Sequence, residues 1–430
     1  MNRLFLTASL LVLAFATCHP AGAQVSSAWS QFLGPDRTGI ATEKGLLRAW
    51  PEEGPPILWR RSLGGGFAGV AISGAGEDGD LLYTAFAENG TEGAVSYLAA
   101  LRVADGTEVW RLSLGPSFTD EFGTGPRATP TLADGRVFAL SAQGYLVAAE
   151  ASSGKKLWGV DLFEKYGCQD VQWSATGGPQ GINKKRPTFG YSQSPLVEAG
   201  HLIVETGAGE GRSIVALDPA TGTERWTALS GLVGYASPVA MTLAGKRQIV
   251  VPGQGAVVGL STDGKELWRH PWMVSMGQPM AVGEDRVFLS TIQNDVGGVL
   301  LRIGSEAPEV LWENPRMRNF WSSTIAWNGQ LFGFDNSTFR CLDAETGEIL
   351  WSRRGLGKGS TVIADGLLFI LSDQGVLVLA EATPEEFRER GRVRFFDEGR
   401  TWTPPALRNG YLYLRSPSEI ARLDVRGEKR

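Results

Sequence analysis

Through most of the chain, apolar and polar residues alternate in short runs. Between Pro130 and Ala151 the pattern is complete. PTLADGR (130–136) ends a short run in a polar turn, VFALSA (137–142) follows, and YLVAAEA (145–151) comes after a brief loop. Period-two alternation bounded by Gly and Asp reads as half-buried β-strands joined by tight turns. A fourth run then starts at a Gly-containing turn and carries a tryptophan. VADGTEVW (103–110), SSGKKLW (152–158), PATGTERW (219–226), STDGKELW (261–268) and AETGEILW (344–351) share this form. Glycine supplies the positive φ that such turns require. Helical spacing is predicted only near Pro384 to Arg390.

Weaker copies end at Trp59 (PILW), Trp312 (EAPEVLW) and Phe395 (RGRVRF). The aromatic positions recur at intervals of about 40–50 residues, the mark of a propeller or solenoid. The exception is the interval containing 163–190, which lacks the pattern and reads as an insertion. With it set aside, eight units fill 57–427. The last, 404–425, stops after its third strand, whereas the first, 56–63, is a lone fourth strand. The expectation is therefore an all-β, eight-bladed β-propeller of four-stranded antiparallel blades, closed when the N-terminal strand joins the last blade and removes an open edge. Trp59, Trp110, Trp158, Trp226, Trp268, Trp312 and Trp351 are expected to plug the spaces between blades.

Composition narrows this without redirecting it. The 430 residues include 56 Gly and 14 Trp, and the formal net charge is −5. Basic residues are spread along the chain, which argues against a nucleic-acid surface. Residues 1–23 read as a signal peptide: Arg3, an apolar run from Leu4 to Ala16, and Ala21-Gly22-Ala23 as a cleavage site after Ala23. Phe15-Ala16-Thr17 ahead of Cys18 lacks the features of a lipidation site. A periplasmic or secreted protein is expected, with an N-terminal arm (24–56) ahead of the ring. No later run is long and apolar enough to predict a membrane span. Cys168 and Cys341 make neither a disulfide framework nor a zinc pattern, and whether they bridge is open. No metal site is expected.

In a propeller the innermost strand of each blade lines the axis. The segments leading into these strands gather at one mouth, and the Gly-Trp turns lie on the opposite face. The candidate ligand-binding residues are therefore Arg127, Tyr191, Tyr235, Gln278, Trp321 and Trp402, a set suited to a planar or anionic ligand or a peptide. The same segments carry small hydroxyls that can simply cap the channel. The insertion adds Lys165, Tyr166, Trp173, Lys184, Lys185 and Arg186 on what reads as a long loop. Asp120, Glu121 and Asp295 are candidates for paired carboxylates across the mouth. GGGFAG (64–69) fits a nucleotide-loop pattern formally, but a strand follows it rather than a helix. No nucleophile–base pair and no catalytic residue can be named.

ALDPATGTERW and CLDAETGEILW carry a resemblance to the quinoprotein-type, or PQQ-like, β-propeller repeat. It covers 56–427. Relatives with eight such blades include quinoprotein alcohol dehydrogenases and the outer-membrane assembly lipoprotein BamB. WSQFLGPDRTGI (29–40), GPRATPTL (125–132), FGYSQSPLV (189–197) and GYASPV (234–239) resemble secreted bacterial PQQ-like proteins more closely. The dehydrogenases' adjacent-cysteine ring, calcium ligands and catalytic Asp have no counterpart motif here, and no C-x-x-C-H is present for haem. The resemblance thus implies a binding or scaffold protein that takes a protein or small ligand at its mouth. It is expected to be monomeric, non-enzymatic and without a cofactor. The alternative is a PQQ-dependent alcohol or sugar dehydrogenase that holds PQQ with calcium in a non-standard site.

Overall fold

The structure is a computed structural model that describes residues 28–427, apart from 75–78, 169, 174–178, 184–185, 254, 274–275 and 398. The predicted signal peptide and Lys184 and Lys185 lie outside the described residues. Among those described there are eight four-stranded antiparallel sheets. Seven run in chain order from the axis outward, such as Thr131–Ala133, Arg136–Leu140, Tyr145–Glu150 and Lys156–Asp161 in blade two. The eighth is built from Ala406–Arg408, Tyr411–Arg415 and Glu419–Asp424, and Ile57–Ser62 adds its outer strand by pairing with 419–423. The ring closes as the split repeat requires.

Each Gly-Trp motif joins two blades. The Gly and Trp of one copy do not touch each other; each glycine lies under the tryptophan of the preceding blade. A Cβ on Gly106, Gly154, Gly222, Gly264 or Gly347 would come within 2.5–2.8 Å of the ring of Trp59, Trp110, Trp158, Trp226 or Trp312 respectively. All five glycines have φ between 71° and 87°, so any side chain would be both strained and obstructed. The indole N–H then ties the seam. Trp59, Trp110, Trp158, Trp312 and Trp351 donate to the carbonyls of Val103, Ala151, Pro219, Ala344 and Thr383, at 2.8–3.2 Å. Trp268 departs from this pattern, donating to Gln248 of its own blade at 2.7 Å. Trp226 makes no such bond.

Two sequence expectations are corrected here. Phe395 is not the aromatic of blade seven. The cross-strand position that pairs Trp351 with Cys341 in blade six holds Gly391, paired with Leu379, in blade seven. Trp50, from the arm, lies over Gly391 and contacts Phe369 at 6.2 Å. Trp351 makes the same kind of contact with Phe332 in blade six. The missing side chain is supplied from the arm. Residues 384–390 are not helical either. The segment connects two strands, and Glu389–Arg394 joins the sheet ladder, whose hydrogen bonds outweigh local helical spacing. Phe387 of this segment packs against Trp351.

The arm also fills the channel. Backbone bonds join Trp29 to Ile72, Ser30 to Leu132 and Gly39–Ala41 to Ile363, all on innermost strands or their ends, at 2.8–2.9 Å. Arg37, at φ 55° and 1% exposed, points its guanidinium into the ring. Its Nε donates to Gln31 Oε1 at 2.9 Å, and its Nη1 to the carbonyls of Ser194 (3.1 Å) and Pro238 (2.8 Å). Its Nη2 donates to the carbonyl of Pro195. No carboxylate faces it in these bonds, and burial pulls its pKa down to about 9, so it stays charged at neutral pH. Glu43 and Leu46 continue onto the turns at Asn409 and Asp365. Those turns share the face of the Gly-Trp turns, so the arm closes that end of the channel.

Candidate functional site

The lead-in segments first tie the blades to one another. Gly69 N–H donates to Thr129 Oγ1, Thr129 N–H to Ser194 Oγ, and Ser194 N–H to Ser237 Oγ, at 2.8–3.0 Å. The Gln278 amide then meets both backbone groups of Ser237 at 2.7 and 2.8 Å. Gln278 N–H donates to Ser323 Oγ at 3.2 Å. Gln278 is therefore built into the wall. Tyr191 is also fully buried, with its hydroxyl toward the Thr206 carbonyl at 3.4 Å.

Of the other four predicted residues, Tyr235, Trp321 and Trp402 belong to one aromatic course across the mouth, and Arg127 lies at its margin. Trp321 stacks on Trp402 with centroids 4.1 Å apart. Trp402 contacts Phe67 at 5.1 Å and Phe122 at 5.3 Å. Phe122 reaches Phe189 at 5.7 Å, and Phe189 reaches Tyr235 at 5.4 Å. Phe320 extends the other end against Trp321 at 4.6 Å. Arg127 lies 4.8 Å from the Phe118 ring and 5.8 Å from Phe67, and Lys358 Nζ sits 4.5 and 4.9 Å from Phe320 and Trp321. Phe67, Phe122, Phe189, Phe320 and Lys358 were missed from sequence. Phe67 sits inside the GGGFAG segment, which reads as a failed nucleotide loop unless the mouth is in view.

The charges are largely spoken for. The hairpin of Thr119–Asp120 and Gly123–Thr124 brings Asp120 to Arg127 at 2.7 Å, with both side chains about one-tenth exposed. Burial lowers the pKa of Arg127, and the Asp120 charge opposes the shift. Asp120 Oδ2 and Trp321 Nε1 are buried without a hydrogen-bond partner. Asp295 pairs with Arg318 at 3.3 Å. The predicted carboxylate pair across the mouth does not form. Cys168 and Cys341 form no disulfide with each other and are buried in different core clusters.

Behind Tyr235 lies a fully buried carboxyl. Glu205 accepts from Gly234 N–H at 2.7 Å and from Gln193 Nε2 at 3.3 Å. Burial pushes its pKa up to about 8. The folded chain thus holds a proton there that the unfolded chain releases near pH 4.5, so this group's contribution is complete below that and declines as pH rises to 8. Glu205→Gln should remove the decline and leave the variant roughly 1–3 kcal/mol more stable than the parent at pH 8, with little difference at pH 4.5. Urea unfolding across that range checks it. A gap that does not grow with pH contradicts the assignment.

The insertion is clamped beside the mouth. Helix Leu162–Tyr166 is capped by Asp161, and a hairpin pairs Asp170–Trp173 with Pro179–Asn183. Arg186 bridges Asp161 and Glu164 at 3.0 and 3.2 Å. Two clefts open on this face between outer blade ends. One, about 510 Å³, includes Tyr145 and Arg186; the other, about 400 Å³, includes His270 and Trp272.

Among the described residues no three His, Cys, Asp or Glu side chains converge. The Trp321–Trp402 stack leaves no slot for a planar ring, which needs roughly 7 Å between faces.

A family model described as "Outer membrane protein assembly factor BamB" matches residues 94–353. The outer membrane protein assembly factor BamB of Burkholderia pseudomallei is 26% identical over 289 residues, 61% of this chain and 65% of that protein. The Escherichia coli BamB is 25% identical over 323 residues, 72% and 75% of the two chains. The chain thus spans about two thirds to three quarters of these relatives. Among solved structures, BamB from Moraxella catarrhalis superimposes with a TM-score of 0.51 at 15% identity, covering 80% of this chain and 95% of that one. The computationally designed Ika8 protein gives 0.58 at 10% identity, over 86% and 100%. These two likenesses concern the fold.

Proposed function

The chain belongs to the family of the outer membrane protein assembly factor BamB, and from that premise we propose that it is an extracytoplasmic binding scaffold serving outer membrane protein assembly. It seats an extended segment of a partner protein on the aromatic course of its mouth. The observation that carries this reading is that course: seven rings in contact, from Phe320 to Tyr235, with Lys358 and Arg127 at its margins. Aromatic faces offer large, stiff contact area to apolar side chains of many sequences, which suits a scaffold that handles varied clients. The arm blocks the far end of the channel, so a ligand approaches from the mouth.

The test is titration with an extended, aromatic-rich peptide patterned as an outer-membrane β-strand. Trp402→Ala and Trp321→Ala should each weaken binding by roughly tenfold, the effect of losing a central aromatic contact. Unchanged affinity in both overturns the proposal. On this reading the protein carries no quinone. Mixed with PQQ and calcium and then dialysed, it should keep no quinone absorbance; retained absorbance would favour the dehydrogenase alternative.

A further inference from the structure

The cleft between blades four and five lies off the axis and takes no part in the mouth. Strand Glu266–Trp272 runs two residues past the repeat's ordinary pattern to bring in His270, Pro271 and a second tryptophan, Trp272. Trp272 is 6% exposed, and its Nε1 has no hydrogen-bond partner. Pro271, Met273 and Val296 give the cleft apolar walls, and Met273 is 37% exposed. Gly255, directly across the ladder from Trp272, has open space where a Cβ would stand. Glu313, on the facing outer strand of blade five, is the one carboxylate in the lining. It is exposed and makes no ion pair among the described residues. At about 400 Å³ the cleft is within the usual range for a specific site.

We propose that this cleft is a second docking site, for an extended segment of a partner protein in which a basic residue follows a large apolar one. The apolar side chain lies against Trp272, Met273 and Val296. The Lys or Arg of the segment pairs with Glu313. Charge complementarity fixes the occupant's sign: Glu313 repels an acidic residue at this place. Burial lowers the pKa of His270, and the neighbouring Glu313 charge opposes the shift. The proposal is independent of the mouth reading, since none of these residues belongs to the aromatic course.

The probe is acetyl-Leu-Arg-amide, with acetyl-Leu-Glu-amide as its control, titrated into the full chain while the indole N–H resonances are followed. Trp272→Phe identifies the Trp272 signal. The expected result is a shift of that signal with the Arg probe and not with the Glu probe, and roughly three- to fivefold weaker binding for Glu313→Gln. Trp402→Ala should leave the titration unchanged. Equal response to the two probes, no movement of the Trp272 signal, or no effect of Glu313→Gln overturns the proposal. If Trp402→Ala abolishes the response, the probe occupies the mouth; the second site then falls while the mouth reading stands. Thermal melts of the variants separate loss of binding from loss of fold.

Discussion

Replacing Arg37 by alanine should lower the stability of the ring by roughly 3–5 kcal/mol. The substitution leaves the carbonyls of Ser194, Pro195 and Pro238 without the donors that now satisfy them, each worth about 1–3 kcal/mol when buried and unmade. Removal of a buried charge that nothing opposes offsets part of this. Two features limit the offset: every guanidinium nitrogen already donates a hydrogen bond where it lies, and the cavity it leaves exposes the oxygens of Gln31, Ser194, Pro195 and Pro238. Equilibrium unfolding in urea measures the change. Low millimolar guanidinium should restore part of the loss in Arg37→Ala and none in the parent, because the ion fits the vacated place. A loss under about 1 kcal/mol, with no rescue, would mean that the arm merely rests in the channel.

Trp59→Ala is expected to cost a similar roughly 3–5 kcal/mol, the range for emptying a buried aromatic site. Trp59 acts at two junctions. Its strand completes blade eight, and its indole covers Gly106 and donates to Val103 of blade one at 2.8 Å. Its loss should therefore open the ring, seen as faster amide exchange in residues 57–62. Trp226→Ala is a built-in comparison. Trp226 is only half-buried, and its Nε1 has no acceptor, so about 2 kcal/mol is expected from lost contact alone. Equal effects at the two positions would show that ring closure adds nothing at Trp59.

The blade count and the closure were legible because strand alternation is a local signal that recurs in every unit and the Gly-Trp spacing marks five of them. What the repeat does was only half legible. Spacing within one copy suggests that Gly222 serves Trp226, whereas the contact is between Gly222 and Trp158 one blade earlier. Curvature of the ring, which no single copy encodes, makes that pairing. The arm was harder still. Trp50 fills a position that the repeat leaves at Gly391, and Arg37 bonds to residues more than 150 positions away. Neither has a periodic signature.

At the mouth, Trp321, Trp402 and Tyr235 were found because lead-in positions are predictable from topology. Gln278 and Tyr191 occupy equivalent positions but turn into the wall, and only contacts between neighbouring blades separate the two groups. Arg127 looked like a free charge. A two-stranded hairpin, too short to leave a pattern, delivers Asp120 to it.

The most direct test of the account is face-resolved photocrosslinking in the native envelope. A photoreactive phenylalanine analogue would replace Phe320 or Phe122 at the mouth, and Leu350 or Val109 beside the Gly-Trp turns, where both aliphatic side chains are exposed. The account predicts protein adducts from the two mouth positions, abolished by Trp402→Ala, and none from the turn-face positions. Adducts confined to Leu350 or Val109 would contradict it.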